Sequence, residues 1–255
     1  MSSAGNKYIT NEEAVPVIDS DIFLDHEDKR FALGVFSADD ILSYKPDTVE
    51  QAYLKLRSNV YIDQTKFLDN NIRRVDGTEL NKDDERSTHF VIVENLIGRV
   101  AVFACMRLIQ KNNMDPGSAL PIEDLFPDAF VTPAPKNSVE VSRFIVRHDE
   151  SRHCRVAKRE IMAAGLSHTF SNDLGPIYGI IELGFERDLS MMKVPTRRVA
   201  DPRVLSEYNS ENIGIEVDKH GFKDRIGEDT INRMNIPVGS FGYWGHMSKD
   251  DKILD

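Results

Sequence analysis

Residues 88–94 read THFVIVE and residues 99–108 read RVAVFACMRL, with a short turn at 95–98 between them. β-Branched and aromatic residues are frequent in both runs, which predicts two strands joined in an antiparallel hairpin. After a long, proline-rich connection at 112–137, residues 138–146 read SVEVSRFIV and predict a third strand. These three strands decide the fold, because the segments on either side of them have helical periodicity.

Apolar residues recur at helical spacing in two segments that flank the predicted strands. The first begins near Asp47, which with Glu50 has the spacing of a capping box, and the second is Arg152–Phe170. The remaining predicted elements are a strand at 176–183, a short helix at 185–192 and a last strand at 212–217. Strands that are first grouped and then alternate with helices predict an α+β or mixed α/β fold, with helices on both faces of the sheet.

Three regions are expected along the chain. Residues 1–45 have too few apolar residues for a core of their own and are interpreted as an arm or lid. Residues 46–218 hold the predicted strands and helices and form the body. Residues 219–255 are polar with scattered aromatic residues and predict a loosely attached tail.

Composition excludes several classes of protein. The 255 residues include 32 basic and 42 acidic side chains, and a net charge of −10 argues against a general nucleic-acid binder. No apolar run approaches the roughly 18 residues that span a bilayer, and the N-terminus lacks a secretory signal pattern. Two cysteines, Cys105 and Cys154, provide neither a disulfide framework nor a metal site. The sequence predicts a soluble, cytoplasmic protein of enzyme size.

The first candidate functional residues lie on and just after the opening helix and in the acidic segment that follows it. Arg57 and Tyr61 are four residues apart and share a helix face, and Phe67 follows them. The alternative, in which these residues have no functional role, is a solvated arginine beside a core aromatic residue. The segment 76–85 gathers five carboxylates, which form either a solvated loop or a cluster that holds a cationic ligand or orients an arginine.

Arg107 interrupts an apolar strand, where alternation places it on the same face as Phe103 and Cys105. Arginine is rarely buried unless it is paired. Two interpretations therefore stay open: this face meets solvent at Arg107, or the arginine meets a loop carboxylate such as Asp76 inside a cleft.

Glu140 opens the third strand, although glutamate has a low strand propensity. Strict alternation predicts Glu140, Ser142 and Phe144 on one face and Arg143 on the other. A departure from local propensity within an otherwise consistent strand indicates a functional site. A surface Glu–Arg pair is the alternative.

Taken together, the order R-x3-aromatic-x5-aromatic, D-G-x-E, an arginine late in a strand and E-x-S-R-F resembles the acyl-homoserine-lactone synthases. These enzymes of bacterial quorum sensing belong to the GNAT-like acyltransferases, and the resemblance covers roughly residues 50–200. It implies a twisted, mostly antiparallel sheet whose strands are splayed at the active site. Synthases of N-acyl amino acids and acyltransferases associated with protein-sorting systems share this skeleton. The segments ALPIEDLF and DKHG are similar to the last group.

The resemblance also implies roles for individual residues. Catalytic roles are implied for Glu140, Arg107, Asp76 and Arg143. Contacts to the substrates are implied for Arg57, Tyr61, Phe67, Glu79, Phe126, Ser142 and Phe144. The family usually has aspartate at the position of Glu79 and tryptophan at that of Phe67, so a different amine substrate stays open.

Amide formation from a thioester requires a neutral amine, and an α-amino group is largely protonated at pH 7. We expect Glu140 to accept its proton, and backbone N–H groups between splayed strands to stabilise the oxyanion. In the homoserine-lactone reaction the acylated S-adenosylmethionine then closes through its own carboxylate and releases methylthioadenosine.

The acyl donor is expected to bind near residues 147–160, where the glycine-rich turn of many GNAT enzymes is absent. Basic side chains occur there instead: Arg147, Arg152, Arg155, Lys158 and Arg159. A basic patch on an acidic protein suits docking to acyl carrier protein, although an ordinary basic helix face explains it equally well. Coenzyme A thioesters are the alternative donors. Phe103, Met162, Leu166 and Phe170 are candidates for an acyl tunnel or simply for the core.

Three functional hypotheses follow. The first is a synthase of N-acyl-homoserine lactone that uses S-adenosylmethionine and an acyl thioester, with no metal and no tightly bound cofactor. The second keeps the fold but takes another amine, as in N-acyl amino acid synthases or the protein-sorting relatives. The third is a catalytically silent GNAT-fold protein that binds a ligand. The sequence does not define the oligomeric state.

Overall fold

The computed structural model describes residues 17–18, 31–95, 100–111, 118–147, 152–208 and 210–244. The strands are β1 (Val17–Ile18), β2 (Phe31–Phe36), β3 (Ser87–Asn95), β4 (Val100–Gln110), β5 (Val139–Val146), β6 (Ile177–Glu182), β7 (Thr196–Leu205), β8 (Ser210–Val217) and β9 (Ser240–Trp244). The α-helices are α1 (Ala38–Leu42), α2 (Val49–Ser58), α3 (Pro121–Leu125), α4 (Arg152–Ser171), α5 (Phe185–Met191), α6 (Lys219–Ile226) and α7 (Glu228–Arg233). A π-helical segment, Asn59–Gln64, continues α2.

The described strands form one mixed sheet in the order β7-β8-β6-β5-β4-β3-β2-β9, and β1 pairs with β4 off this path. Neighbours are antiparallel except β5 and β6, which are parallel. The predicted hairpin of β3 and β4 is confirmed, as is the mixed α/β class.

Helices cover both faces of the sheet, as predicted. On one face, which we call the α2 face, Cys105 of β4 packs with Tyr53 and Leu56 of α2. On the opposite face, the α4 face, Met106 of β4 packs with Ile161 of α4. Successive residues of β4 thus enter different cores, because side chains alternate across a strand.

Strands β5 and β6 pair only from Val139–Val141 and Ile177–Gly179, and then part. A parallel pair needs a crossover connection, which α4 provides. The parting leaves the second half of β5 without a β6 partner. This gap in the centre of the sheet positions the candidate site.

A β-bulge interrupts β5 beside this gap. Cys105 of β4 pairs with Ile145 and Arg107 pairs with Ser142, so Arg143 and Phe144 together face one residue of β4. Arg143 has a φ of 53°, in the left-handed region that side-chain-bearing residues rarely adopt. An extra residue reverses the alternation of side chains beyond it.

The predicted boundaries of the body are wrong at both ends. Phe31–Phe36, assigned to the arm, is a fully buried strand between β3 and β9, and the remainder of 1–30 apart from β1 lies outside the described residues. In the predicted loose tail, Phe222, Ile231 and Met234 of the α6–α7 region are buried in the α4-face core. The end of this region forms one edge of the sheet, because β9 pairs with β2 at the end of the strand order.

Two local predictions are also corrected. The N-cap of α2 is Thr48, whose hydroxyl accepts a hydrogen bond from the Gln51 amide at 3.4 Å, and the Asp47 capping box does not form. Strand β7 was not predicted, because it reads TRRVADPRVL and contains many charges and Pro202. Such a sequence is tolerated there because β7 is an edge strand. No helix within the described ranges has the length and apolarity needed to cross a membrane.

Candidate active site

A cleft of about 290 Å³ opens where β5 and β6 part. Its walls come from the segment after α2, from β5, β6, α4 and α5, and from the β7–β8 hairpin. Residues that line it include Tyr61, Phe67, Glu140, Ser142, Arg143, Phe144, Lys158, Met162, Tyr208 and Asn212. The cleft therefore contains six of the side chains that the sequence selected as functional, together with Lys158 of the basic segment.

The bulge in β5 determines which side chains meet in the cleft. Arg143 contacts Glu79 and Tyr61 on the α2 face, where Ser142 contacts Arg107. Phe144 instead packs against the α4-face core, with its ring centroid 5.5 Å from that of Phe185. The prediction from strict alternation is wrong for these two residues, since the extra residue moves Arg143 to the α2 face and turns Phe144 away.

Glu140 is 2% exposed and lines the cleft from the part of β5 that pairs with β6, opposite Tyr178. The amide of Ile122, in the first turn of α3, donates a hydrogen bond to its Oε2 at 2.8 Å. Burial is the largest influence and raises the pKa of Glu140 to about 8, although this hydrogen bond acts in the opposite direction. A carboxyl group with such a pKa exchanges a proton near neutral pH, as a general base requires.

Behind the cleft lies a buried cluster of charged residues, which we call the ionic network. Its members are Arg57, Glu79, Asp84, Arg107 and Arg143. Asp84 is fully buried and receives two hydrogen bonds from Arg57, at 2.7 and 3.0 Å. Arg107 reaches the same carboxylate at 2.9 Å. Burial alone would raise the pKa of Asp84, but the two guanidinium groups hold it well below its ordinary value.

Glu79 joins the network to the cleft. Its carboxylate pairs with Arg57 on one side and with Arg143, at 2.9 Å, on the other. Burial opposes ionisation, yet the two arginines lower the pKa of Glu79 to about 2. Glu79 therefore stays ionised, and it orients Arg143 toward the cleft.

Arg107 completes the network from β4. Besides Asp84, it donates to Asn81 Oδ1 at 2.9 Å and to Ser142 Oγ at 3.2 Å. Of the two interpretations of Arg107, pairing with a carboxylate of the acidic segment is the one observed, but the partner is Asp84 in place of Asp76 and the pair lies behind the cleft.

Tyr53 and His89 support the network from behind. Arg57 donates to the Tyr53 hydroxyl at 3.1 Å, which leaves the phenolic proton for Nδ1 of His89 at 2.9 Å. His89 is fully buried, and burial lowers its pKa to about 3, so its ring is neutral. The pair fixes Arg57 without adding charge.

Aromatic rings form one wall of the cleft. The guanidinium carbon of Arg143 lies 4.9 Å from the ring centre of Tyr61. The Phe67 ring is 6.3 Å from that of Tyr61 and 6.4 Å from that of Tyr208. A row of groups in contact therefore runs from the ionic network to the β7–β8 hairpin.

Several predicted site residues lie outside the cleft. Arg57, Glu79 and Arg107 are buried behind it and orient other groups. Asp76 is exposed and interacts with Tyr44 and Thr78, outside the network, so the structure does not support its predicted catalytic role. Phe126 is buried in a separate apolar cluster beneath Arg203, so its predicted place in the pocket is wrong.

Four residues of this site were not predicted from the sequence: Asp84, Tyr53, His89 and Tyr208. Asp84 belongs to the acidic segment 76–85, where spacing alone did not distinguish it from its neighbours. The capping box of Asn81 and Asp84, which opens the 3₁₀ turn Lys82–Arg86, was the available signal. Tyr208 lies far along the chain, and nothing in its local sequence marks it.

The basic segment borders the cleft. Arg155, Lys158 and Arg159 share one face of α4, and we call them the basic stripe. Lys158 lines the cleft and lies 3.4 Å from Asp188, while Arg155 and Arg159 are exposed. Arg147, at the end of β5, pairs with Glu94 at 3.8 Å. The side chain of Arg152 lies outside the described residues.

Comparisons with known proteins agree with this geometry. Residues 56–159 match the family model of the acetyltransferase (GNAT) domain. No curated protein sequence matches the chain.

Solved structures resemble the chain over most of its length. The CoA-dependent acyl-homoserine lactone synthase BjaI, solved with MTA, is 18% identical with a TM-score of 0.56, covering 80% of this chain and 99% of its own. The CoA-dependent synthase MesI is 16% identical with a TM-score of 0.56, covering 76% and 94%. The AHL synthase LasI is 17% identical with a TM-score of 0.55, covering 75% and 91%. The chain thus has a GNAT-like fold, the fold also found in the acyl-homoserine lactone synthases.

Proposed function

We propose that the protein is an N-acyltransferase that moves a fatty acyl group from a thioester to the amine of S-adenosylmethionine and forms an N-acyl-homoserine lactone. The observation that carries this proposal is Glu140, a buried carboxyl group with a raised pKa, in a cleft that also contains Arg143. Glu140 accepts a proton near neutral pH, and Arg143 offers positive charge to a substrate carboxylate. A zwitterionic amine matches both.

In the acyl-transfer step, the amine nitrogen attacks the thioester carbonyl carbon, so that a C–N bond forms and the C–S bond breaks. Glu140 takes the proton from the nitrogen and passes it to the leaving thiolate, which departs as the thiol. Backbone groups of β5 beyond Val141, which have no β6 partner, line the cleft and are the candidate oxyanion donors.

In the second step, the carboxylate oxygen of the acylated product attacks its own γ-carbon. The bond from that carbon to the sulfonium sulfur breaks, which releases methylthioadenosine as a neutral thioether. Arg143, held by Glu79, is the group that positions this carboxylate. BjaI has been solved with SAM and isopentyl-CoA, and its fold similarity supports this choice of substrates.

The apolar end of the cleft suits the acyl chain. Val141, Met162 and Val217 separate the cleft from an inner pocket of about 10 Å³, to which Leu166 also contributes. Of the predicted tunnel residues, Met162 and Leu166 thus border cavities, whereas Phe103 belongs to the core and Phe170 packs against it.

A second candidate function is N-acylation of a free amino acid. The network contains three guanidinium groups and two carboxylates, so it would receive any α-carboxylate and does not by itself select S-adenosylmethionine. Glutamate at position 79, where the family usually has aspartate, is a weak argument for this alternative. The Glu79 side chain is fully buried and faces two arginines, so it is not in a position to contact the amine substrate.

The test uses purified protein with acyl thioesters and either S-adenosylmethionine or amino acids. Thiol release, methylthioadenosine and the acylated product are followed, the last two by mass spectrometry. We expect Glu140→Gln to lower kcat about 10²- to 10⁴-fold, the usual contribution of a general base. Glu216→Gln, which removes a carboxylate paired with Arg197 outside the cleft, is the matched control. Acylated amino acid without methylthioadenosine would favour the second function, and binding without any thiol release would favour a silent ligand-binding protein.

We further propose acyl carrier protein as the physiological acyl donor, docked on the basic stripe beside the cleft. Replacing Arg155 and Arg159 together by alanine should raise KM for acyl carrier protein thioesters and leave KM for coenzyme A thioesters nearly unchanged. Arg225→Ala, on α6, is the control for a generic loss of positive charge. Equal changes for both donors would contradict docking on this stripe.

A further inference from the structure

Tyr208 is a part of the cleft that has no role in the proposed mechanism. It lies in the turn between β7 and β8, where its amide donates to the Leu205 carbonyl at 3.2 Å. Its ring meets Phe67 edge to face, at 6.4 Å and 74°. The hairpin thereby touches the segment after α2 and closes one side of the cleft.

Tyr208 is half-buried in the wall of the cleft, and its hydroxyl forms no hydrogen bond within the part of the chain that the structure describes. The charges that act on it most strongly are those of Arg143 and Glu140. Burial raises the pKa of Tyr208, so the phenol keeps its proton and is a hydrogen-bond donor. A donor that lines the same cleft as these two groups is suited to an acceptor atom of a ligand.

The charge balance around Arg143 indicates what kind of ligand atom this is. Glu79 is the only carboxylate that pairs with Arg143 among the described residues, and it is shared with Arg57. The ionic network contains three arginines and only two carboxylates. Glu140 lies nearby in the cleft, and while it is protonated it does not balance the remaining positive charge. A buried charge without a partner is costly, and an anionic group of a ligand would offset it.

We propose that Tyr208 is a specificity-determining residue that donates a hydrogen bond to the carboxylate of the amine acceptor, beside the guanidinium group of Arg143. The inference rests on the proposed function and extends it, because it assigns recognition of the acceptor carboxylate to the β7–β8 hairpin. Phe67, in contact with the Tyr208 ring, holds the phenol in place.

The test compares two acceptors that differ only in the carboxylate: S-adenosylmethionine and its decarboxylated form. With the first, Tyr208→Phe should raise KM about 10- to 100-fold, the range for a lost hydrogen bond to a charged group, and should change kcat only a few-fold. With decarboxylated S-adenosylmethionine, the same substitution should leave KM within about twofold, since the partner of the hydroxyl is missing.

Binding of each acceptor in the absence of an acyl donor, measured by calorimetry, gives a readout independent of turnover. Tyr44→Phe, which removes a hydroxyl bonded to Asp76 and Thr78 outside the cleft, is the control. An equal effect of Tyr208→Phe on both acceptors, or no effect on either, overturns the assignment of Tyr208 while leaving the proposed function intact. Binding of S-adenosylmethionine without acyl transfer refutes the function, and the calorimetric comparison still decides the role of Tyr208.

Discussion

The two faces of β4 and β5 contain very different interiors. On the α4 face, Met106 and Leu108 pack with apolar residues of α4. On the α2 face, Arg107 of the same strand enters a buried network of three arginines and two carboxylates. Removing such charges from water costs several kcal/mol per ion, and well-packed apolar residues often stabilise a protein as well or better. The contrast indicates that the α2 face is charged because the cleft requires it, whereas the core of the α4 face is mainly apolar because stability is its main requirement.

The bulge in β5 determines which side chains enter each of the two faces. Without the extra residue, Arg143 would enter the apolar core of the α4 face and Phe144 would point into the ionic network. An arginine with a backbone in the left-handed region costs of the order of 1–3 kcal/mol. The ion pair between Arg143 and Glu79 helps to hold Arg143 in this conformation. The backbone strain at Arg143 is therefore a consequence of placing its side chain in the site.

The largest effect is expected when the charged face loses its central carboxylate. Asp84→Asn keeps the shape but leaves Arg57 and Arg107 without their shared charge, and we expect a loss of about 3–5 kcal/mol in the free energy of unfolding, measured with urea. The matched control is Asp76→Asn, at an exposed carboxylate in the same acidic segment, where the loss should stay below about 1 kcal/mol. Equal losses would mean that the network is not the element that stabilises this face.

How much of these two faces the sequence predicts depends on how far apart in the sequence the interacting residues lie. The β3–β4 hairpin, α4 and the placement of Glu140 beside a cleft follow from local periodicity and a short motif. Asp84 was not separated from Asp76, because both belong to one acidic run and only the fold brings the former to Arg57. The side of Arg143 was predicted wrongly because a single-residue bulge leaves no mark in an alternating pattern. Strands β2 and β9 were missed as sheet members because their burial comes from pairing with distant segments.

A second effect, which depends on pH, concerns Glu140 at the boundary between the charged face and the cleft. Its pKa is about 8 in the folded protein and about 4.3 in an unfolded chain, so the protonated form is favoured by folding. The contribution of Glu140 to stability is therefore fully present below about pH 4 and is lost as pH rises toward 8.

Against wild type, Glu140→Gln should gain stability by about 1.4 kcal/mol per pH unit through this window and then level off above pH 8. Urea unfolding of both proteins between pH 5 and 9 measures the difference, in which the other titrating groups cancel. A difference that does not change with pH would show that Glu140 is ionised in the folded protein and would remove the basis for its raised pKa. The acyl-transfer rate of wild type should rise with pH up to about 8, because only the ionised carboxylate accepts a proton.

The smallest effect is expected on the apolar face. A Cβ atom added at Gly165 of α4 would lie 2.4 Å from Cε of Met106, which must move. Cε is the tip of a flexible side chain, and Met106 borders the inner pocket, where a little space is free. Gly165→Ala also gains about 1 kcal/mol of helix propensity, which offsets the cost of that shift, so the free energy of unfolding should change by less than about 1 kcal/mol.

Gly34→Ala on β2 is the comparison that sharpens this expectation. There the added Cβ would lie 2.6 Å from Cε1 of Phe241 and 2.9 Å from Cε2 of Phe36, two aromatic rings packed edge to face. Rings cannot bend as a methionine does, so we expect a loss of about 1–3 kcal/mol, measured by urea unfolding of both variants in parallel. A loss at Gly165 as large as that at Gly34 would mean that the methionines beside the inner pocket are as rigid as the rest of the core. In that case an acyl chain could not enter beyond Met162, because the same side chains would have to move to admit it.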